Sequence, residues 1–176
     1  MNISGKIDLS VTLTGSAHVY QFVGLLWATE YNAQQAQIQN GVNAQTVNAM
    51  NTLLMAYAAS EALVLETALA LHPMLYRDKR GFRMAGLVSQ YESFLKSDGR
   101  ATEKVPPEIE ELADRRVALT HSEPDNVRSS SLGEVISGTD AVRFATQLRQ
   151  RAEWLWQGKR PTAVADAFDQ PNCFLS

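Results

Sequence analysis

Arg116 and His121, with four residues between them, are the pair in this chain best suited to chemistry. An arginine guanidinium grips phosphate oxygens through a planar fork of N–H donors. A histidine moves protons near neutral pH. Together they suit work on a phosphodiester. The segment Arg116-Val117-Ala118-Leu119-Thr120-His121 closes a helix-patterned stretch that stops at Pro124.

Helical phase decides which arginine matters. Ile109, Leu112, Arg116 and Leu119 fall on one stripe at three- and four-residue steps. Arg116 therefore stands where an apolar residue is expected, and a cation there needs a partner, a cavity or an interface. Arg115 falls on another side, one turn after Glu111, and reads as half of an exposed ion pair. His121 shares a face with Asp114 and Val117 and lies about 140° around the helix from Arg116. The two converge on one ligand only if the helix end turns or a second copy of the helix faces the first. A helix-terminal histidine also suits a purely structural role, complementing the dipole.

Glu61 is a second anomaly. Leu54, Tyr57, Glu61, Leu65 and Ala68 form one stripe on a strongly apolar helix, so Glu61 takes the place of a core residue. Arg116 is its natural counter-ion. The pair is either an internal ion pair or a device that orients Arg116 toward a phosphate. Glu66 lies among Ala59, Ala62 and Ala70, a small-residue face suited to close helix contact, and ranks below Glu61.

The rest of the chain must position these groups. Residues 6–14 alternate polar and apolar and predict a strand. A helix follows from Gly15-Ser16 to about Gln39. Asn43 or Thr46 caps a long second helix that His72-Pro73 stops. Residues 77–81 read as a basic turn, and a third helix covers about Phe82 to Lys96. Pro107 opens the motif helix, with Glu108, Glu110 and Glu111 complementing its dipole. Residues 122–138 read as a loop, and Thr139 caps a last helix to about Gln157. The expectation is one all-α domain over residues 1–176: an up-and-down bundle of four to five helices with a short N-terminal strand (1–15) and an irregular tail (158–176), where Phe168, Phe174 and Leu175 are anchors.

The chain has 176 residues, a net charge of −3 and one cysteine, Cys173. The charge excludes a generic nucleic-acid binder, so any RNA contact needs a local basic patch. Two clusters qualify: Arg77, Lys79, Arg80 and Arg83, and Arg143, Arg149 and Arg151. A lone cysteine excludes an intrachain disulfide framework and a cysteine-built zinc site. The sequence carries no phosphate-binding Gly-rich loop, no His-Glu-x-x-His motif and no Gly-x-Ser-x-Gly elbow. No metal or cofactor is expected. His18 and His72 look isolated and structural, and Trp154 and Trp156 look like packing residues. No signal peptide is visible, and Glu61 and Glu66 interrupt the most apolar stretch, so a cytoplasmic protein without a membrane span is expected.

The segment Leu112-Ala113-Asp114-Arg115-Arg116-Val117-Ala118-Leu119-Thr120-His121-Ser122 resembles the signature helix of HEPN domains. Those are helical bundles, many of them RNases, with an arginine, four to six residues and a histidine. Residues 56–66 are similar to their second helix, and the resemblance covers about residues 43–157. Where the family often carries Asn, Asp or His directly after the arginine, this chain carries Val117. The resemblance implies a homodimer with facing motif helices and a metal-independent endoribonuclease, such as a toxin or a phage- or stress-defence effector. Arg116, His121 and Glu61 would then form its site. It equally accommodates a non-catalytic helical module that binds an antitoxin protein or a nucleotide.

Overall fold

A computed structural model describes residues 21–39, 41–78, 80–120, 137–162, 164 and 168–172. The expected strand over 6–14, His18, Lys79, His121, the loop over 122–136, Cys173, Phe174 and Leu175 lie outside the described residues. Those described are mostly helical and include no strand, as the helical class requires.

The helices are α1 (Gln21–Ile38), α2 (Val42–Leu71), α3 (Pro73–Asp78), α4 (Arg80–Met84), α5 (Leu87–Ser97), α6 (Pro107–Thr120) and α7 (Gly138–Trp156). By length and composition α2 is apolar enough to cross a membrane. Here it is the spine of the bundle, packed by α1, α3, α5, α6 and α7. Its buried face is lined by Ala49, Leu53, Ala56, Ala59, Leu63, Val64 and Ala68 at helical spacing. The small residues let α1 and α7 approach closely. Buried hydroxyls find partners on the spot: Ser60 donates to the Ala56 carbonyl at 2.8 Å, and the Thr67 hydroxyl accepts from Trp156 Nε1 at 2.9 Å.

Trp156 is 1 % exposed and sits edge-on to Phe22 (centroids 6.1 Å apart) and to Phe168 (5.1 Å), locking the tail onto α1. Phe168 is thus the anchor that the sequence suggests. Trp154 stacks on Tyr91 at 6.4 Å, and the Arg100 guanidinium lies over its ring.

Several boundaries differ from expectation. Gly41, not Asn43 or Thr46, precedes the first turn of α2. Pro73 begins α3 as well as ending α2, because proline's fixed φ suits a first helical position. The expected basic turn is therefore mostly helical. The expected third helix is broken at Ala85-Gly86, with Gly86 extended ahead of α5. Ser137 rather than Thr139 caps α7: its hydroxyl accepts from the Asp140 N–H at 3.1 Å, and Asp140 returns a bond to the Ser137 N–H. His72 is not isolated. Its Nε2 lies 3.0 Å from Asp98, which Lys159 also meets at 2.9 Å.

Glu66 does more than sit on a small-residue face. Its Oε1 accepts from the Gln21 N–H at 2.5 Å and the Phe22 N–H at 3.3 Å, tying α2 to the first turn of α1. Burial pushes its carboxyl up to about 7, against the pull of those two N–H groups. The folded state then holds this proton where the unfolded chain, near 4.5, has released it. Stability from this group falls as pH rises from about 4.5 through 7. Glu66→Gln keeps an acceptor but cannot ionise. After discounting for partial solvent screening, it is expected to gain about 1–2 kcal/mol relative to wild type on going from pH 5 to pH 8, read by urea denaturation. Parallel pH profiles for the two proteins would contradict this.

Candidate functional site

Pro107 starts α6, and Glu108 and Glu110 occupy its first turn, where carboxylates meet the positive end of the helix. Ile109 and Leu112, both 0 % exposed, seat the helix on α2. Leu119 packs partly against the same core. Arg116 continues this stripe at partial burial, as its phase requires.

The two neighbouring arginines have different fates. Arg115 reaches Glu111 at 2.9 Å and Asp140 at 3.3 Å. Arg143 of α7 grips Glu111 with two 2.7 Å bonds and Asp140 at 3.1 Å. This four-membered clamp bridges α6 to α7. Burial opposes ionisation of Asp140, yet the Ser137 N–H, Arg143 and Arg115 bring its carboxyl down to about 2. Bonding to Arg143 likewise holds the Glu111 carboxyl below its usual range, against partial burial. Both groups favour the fold above their unfolded values near 4, and that contribution is lost as pH falls toward 2. Arg143→Ala is expected to cost about 1 kcal/mol at pH 7 and almost nothing at pH 2. Chemical denaturation at the two pH values measures this, and an equal cost at both would refute the clamp.

Arg116 joins no such network. Among the described residues it has no carboxylate within ion-pair distance, Glu61 included. Its guanidinium lies over the Tyr57 ring, 5.2 Å from the centroid. The expected Glu61–Arg116 ion pair is thus replaced by an arrangement in which both act on Tyr57. Burial raises the Tyr57 hydroxyl pKa first, and the Glu61 charge adds to it; Arg116 and the Leu87 N–H oppose them. Leu87 is the first residue of α5, whose N–H has no helical acceptor of its own. Tyr57 thus joins α2, α5 and α6 at one point.

Glu61 is half-buried, not in the core. The fully buried face of α2 runs one position over, through Ser60, Leu63 and Val64. Glu61 Oε1 accepts from Gln90 Nε2 at 3.5 Å, and the same nitrogen lies 3.5 Å from the Arg83 carbonyl. Gln90 is itself 0 % exposed, and its own oxygen has no partner among the described residues. Sequence reasoning placed Tyr57 on the Glu61 stripe without giving it a role, and it missed Gln90. The available signal was Tyr57 at four residues before Glu61, one turn away on the same face.

The second basic cluster is not a surface patch. Arg143 belongs to the clamp, and Arg149 is bound to Glu30 at 2.6 Å and to the Phe168 carbonyl at 2.8 Å. Arg151 is 4 % exposed and donates to Ser60 Oγ at 3.1 Å and Gln147 Oε1 at 3.3 Å. These side chains are spent on internal contacts that spacing alone does not reveal. The first cluster is different. Arg77, Arg80 and Arg83 are exposed and have no carboxylate partner among the described residues. Arg83 lies over the Tyr76 ring at 5.4 Å.

Among the described residues, no three His, Cys, Asp or Glu side chains gather as a metal-ligand set. No protein-family model, no curated protein and no solved structure matches the chain.

Proposed function

We propose that this chain is a metal-independent endoribonuclease of the HEPN kind, acting as a homodimer in the cytoplasm. The observation that carries this reading is the contrast between Arg115 and Arg116. One is locked by two carboxylates; the other is half-exposed near the end of α6, set over the Tyr57 ring and left without a carboxylate partner among the described residues. A guanidinium oriented but not neutralised suits the charge that develops on a scissile phosphate.

His121 follows α6 directly in sequence and supplies the proton chemistry. It takes the proton of a ribose 2′-hydroxyl as that oxygen attacks the adjacent phosphorus. The bond from phosphorus to the 5′-oxygen breaks, and that oxygen leaves with a proton from solvent. The products are a 2′,3′-cyclic phosphate and a 5′-hydroxyl. Arg116 steadies the phosphate oxygens throughout. Tyr57 positions Arg116, and Glu61 acts only through its charge beside Tyr57.

A second copy of the chain supplies the missing geometry. Val117 is 49 % exposed beside Arg116, and Leu54 and Val47 continue the Glu61 side of α2 at 37 % and 55 %. Apolar residues at those places suit contact between two motif faces. The same exposure of Val117 favours a second reading, a non-catalytic module whose motif face binds an antitoxin protein. Incubation of labelled RNA with the protein in EDTA tests the choice. The ribonuclease reading expects fragments ending in 2′,3′-cyclic phosphate. Intact RNA after prolonged incubation with the purified dimer would leave the binding module.

A further inference from the structure

We infer that the exposed face of α3 and α4 is a track for the backbone of single-stranded RNA, leading toward Arg116. The inference extends the ribonuclease reading to its substrate path, but its binding half stands on separate observations. Arg77, Arg80 and Arg83 recur every three residues, all exposed, in a chain whose net charge is −3. Several arginines elsewhere are consumed by carboxylates: Arg100 by Glu103, Arg149 by Glu30, Arg160 by Asp169. These three keep their charge unpaired among the described residues. Guanidinium groups held apart from carboxylates are what successive phosphates require.

Two contacts give this face order and direction. The Arg83 guanidinium rests over the Tyr76 ring, 5.4 Å from its centroid, a cation–π contact that leaves its charge unneutralised. The Arg83 carbonyl meets Gln90 Nε2, and that nitrogen meets Glu61, whose charge acts on the ring beneath Arg116. The backbone of α4 is thereby tied to the Glu61–Tyr57 neighbourhood beneath Arg116, and the proposed track runs from the basic face toward it. Met74 and Met84, 67 % and 76 % exposed, flank the arginines and offer apolar contact to bases of any sequence. An anionic membrane is the less fitting partner. At six and five residues, α3 and α4 are too short to present the sustained apolar face of an interfacial helix.

The test uses a fluorescent single-stranded RNA of about 20 nucleotides and fluorescence anisotropy across a salt series, an RNA long enough to contact several phosphates. His121→Ala is the parent protein, so that cleavage is slowed during titration. Arg77→Gln/Arg80→Gln/Arg83→Gln on that parent is expected to raise Kd at least tenfold at moderate salt. The slope of log K against log salt should become shallower by about 2, near 0.7 for each phosphate that is no longer neutralised. If the triple variant fails to fold, Arg77→Gln/Arg80→Gln, which leaves the Tyr76 contact in place, should change the slope by about 1.4. Unchanged affinity and slope, or a parent that binds phosphatidylserine vesicles and not RNA, would overturn the inference. Loss of RNA binding in the triple variant alongside a wild-type protein that cleaves nothing would sustain the track and sink the ribonuclease. Cleavage with a KM untouched by the triple substitution would do the reverse.

Discussion

His121→Ala should lower RNA cleavage by roughly 10²–10⁴-fold, the usual contribution of a positioned proton-transfer group. His121 is the only histidine on the motif segment, and the described side chain packed against Arg116 is Tyr57. Tyr57 is excluded because burial and the Glu61 charge raise its hydroxyl pKa, so that it holds its proton at neutral pH. Glu61 reaches Gln90, not Arg116. The loss should appear in kcat with little change in KM, because in the proposed mechanism the histidine acts on the bond being broken and the basic face holds the strand. Single-turnover cleavage at saturating RNA separates the two. Cleavage by His121→Ala at the wild-type rate would remove the proposed proton chemistry altogether.

Arg116→Ala should cost roughly 10²–10³-fold, again in kcat, by removing a charge aimed at the developing phosphorane. Arg116→Lys keeps the charge but not the planar fork and should recover only part of the rate. The Tyr57 platform makes a graded prediction. Tyr57→Phe retains a ring beneath the guanidinium and should stay within about twofold of wild type, whereas Tyr57→Leu should lose about fivefold, the scale of one cation–π contact. Arg115→Ala serves as the contrast. It opens the clamp with Glu111 and Asp140 and so lowers the melting temperature, but should leave kcat nearly intact. An Arg115→Ala loss larger than that of Arg116→Ala would mean that the wrong arginine has been assigned.

How much of this was legible in the sequence depends on the range of the interaction. Periodicity along one helix is local, so it placed Ile109, Leu112 and Arg116 on one stripe and paired Arg115 with Glu111, as the structure shows. The same logic misjudged Glu61, because phase tells which side of a helix a residue is on but not how far around a neighbouring helix extends. The core face turned out to be centred on Ser60 and Leu63, leaving Glu61 at its edge. Contacts between distant elements were invisible. Nothing in the spacing of Arg143 or Arg149 shows that Glu111 and Glu30 wait across the bundle. Nor does Glu66 reveal that it will meet the first turn of α1, 44 residues upstream. The break at Ala85-Gly86 was a matter of punctuation. Its glycine was in view, but continuous apolar spacing on both sides masked it.

In the proposed dimer the Arg116 of one copy works with the His121 of another. Co-expression of Arg116→Ala and His121→Ala chains, each inactive alone, tests it most directly. In a two-fold dimer, random pairing makes half of the dimers mixed, and each mixed dimer holds one intact site out of two. Cleavage restored to about a quarter of the wild-type rate is expected. A mixture no more active than its components, beside an active wild-type protein, would place both residues in one chain and contradict it.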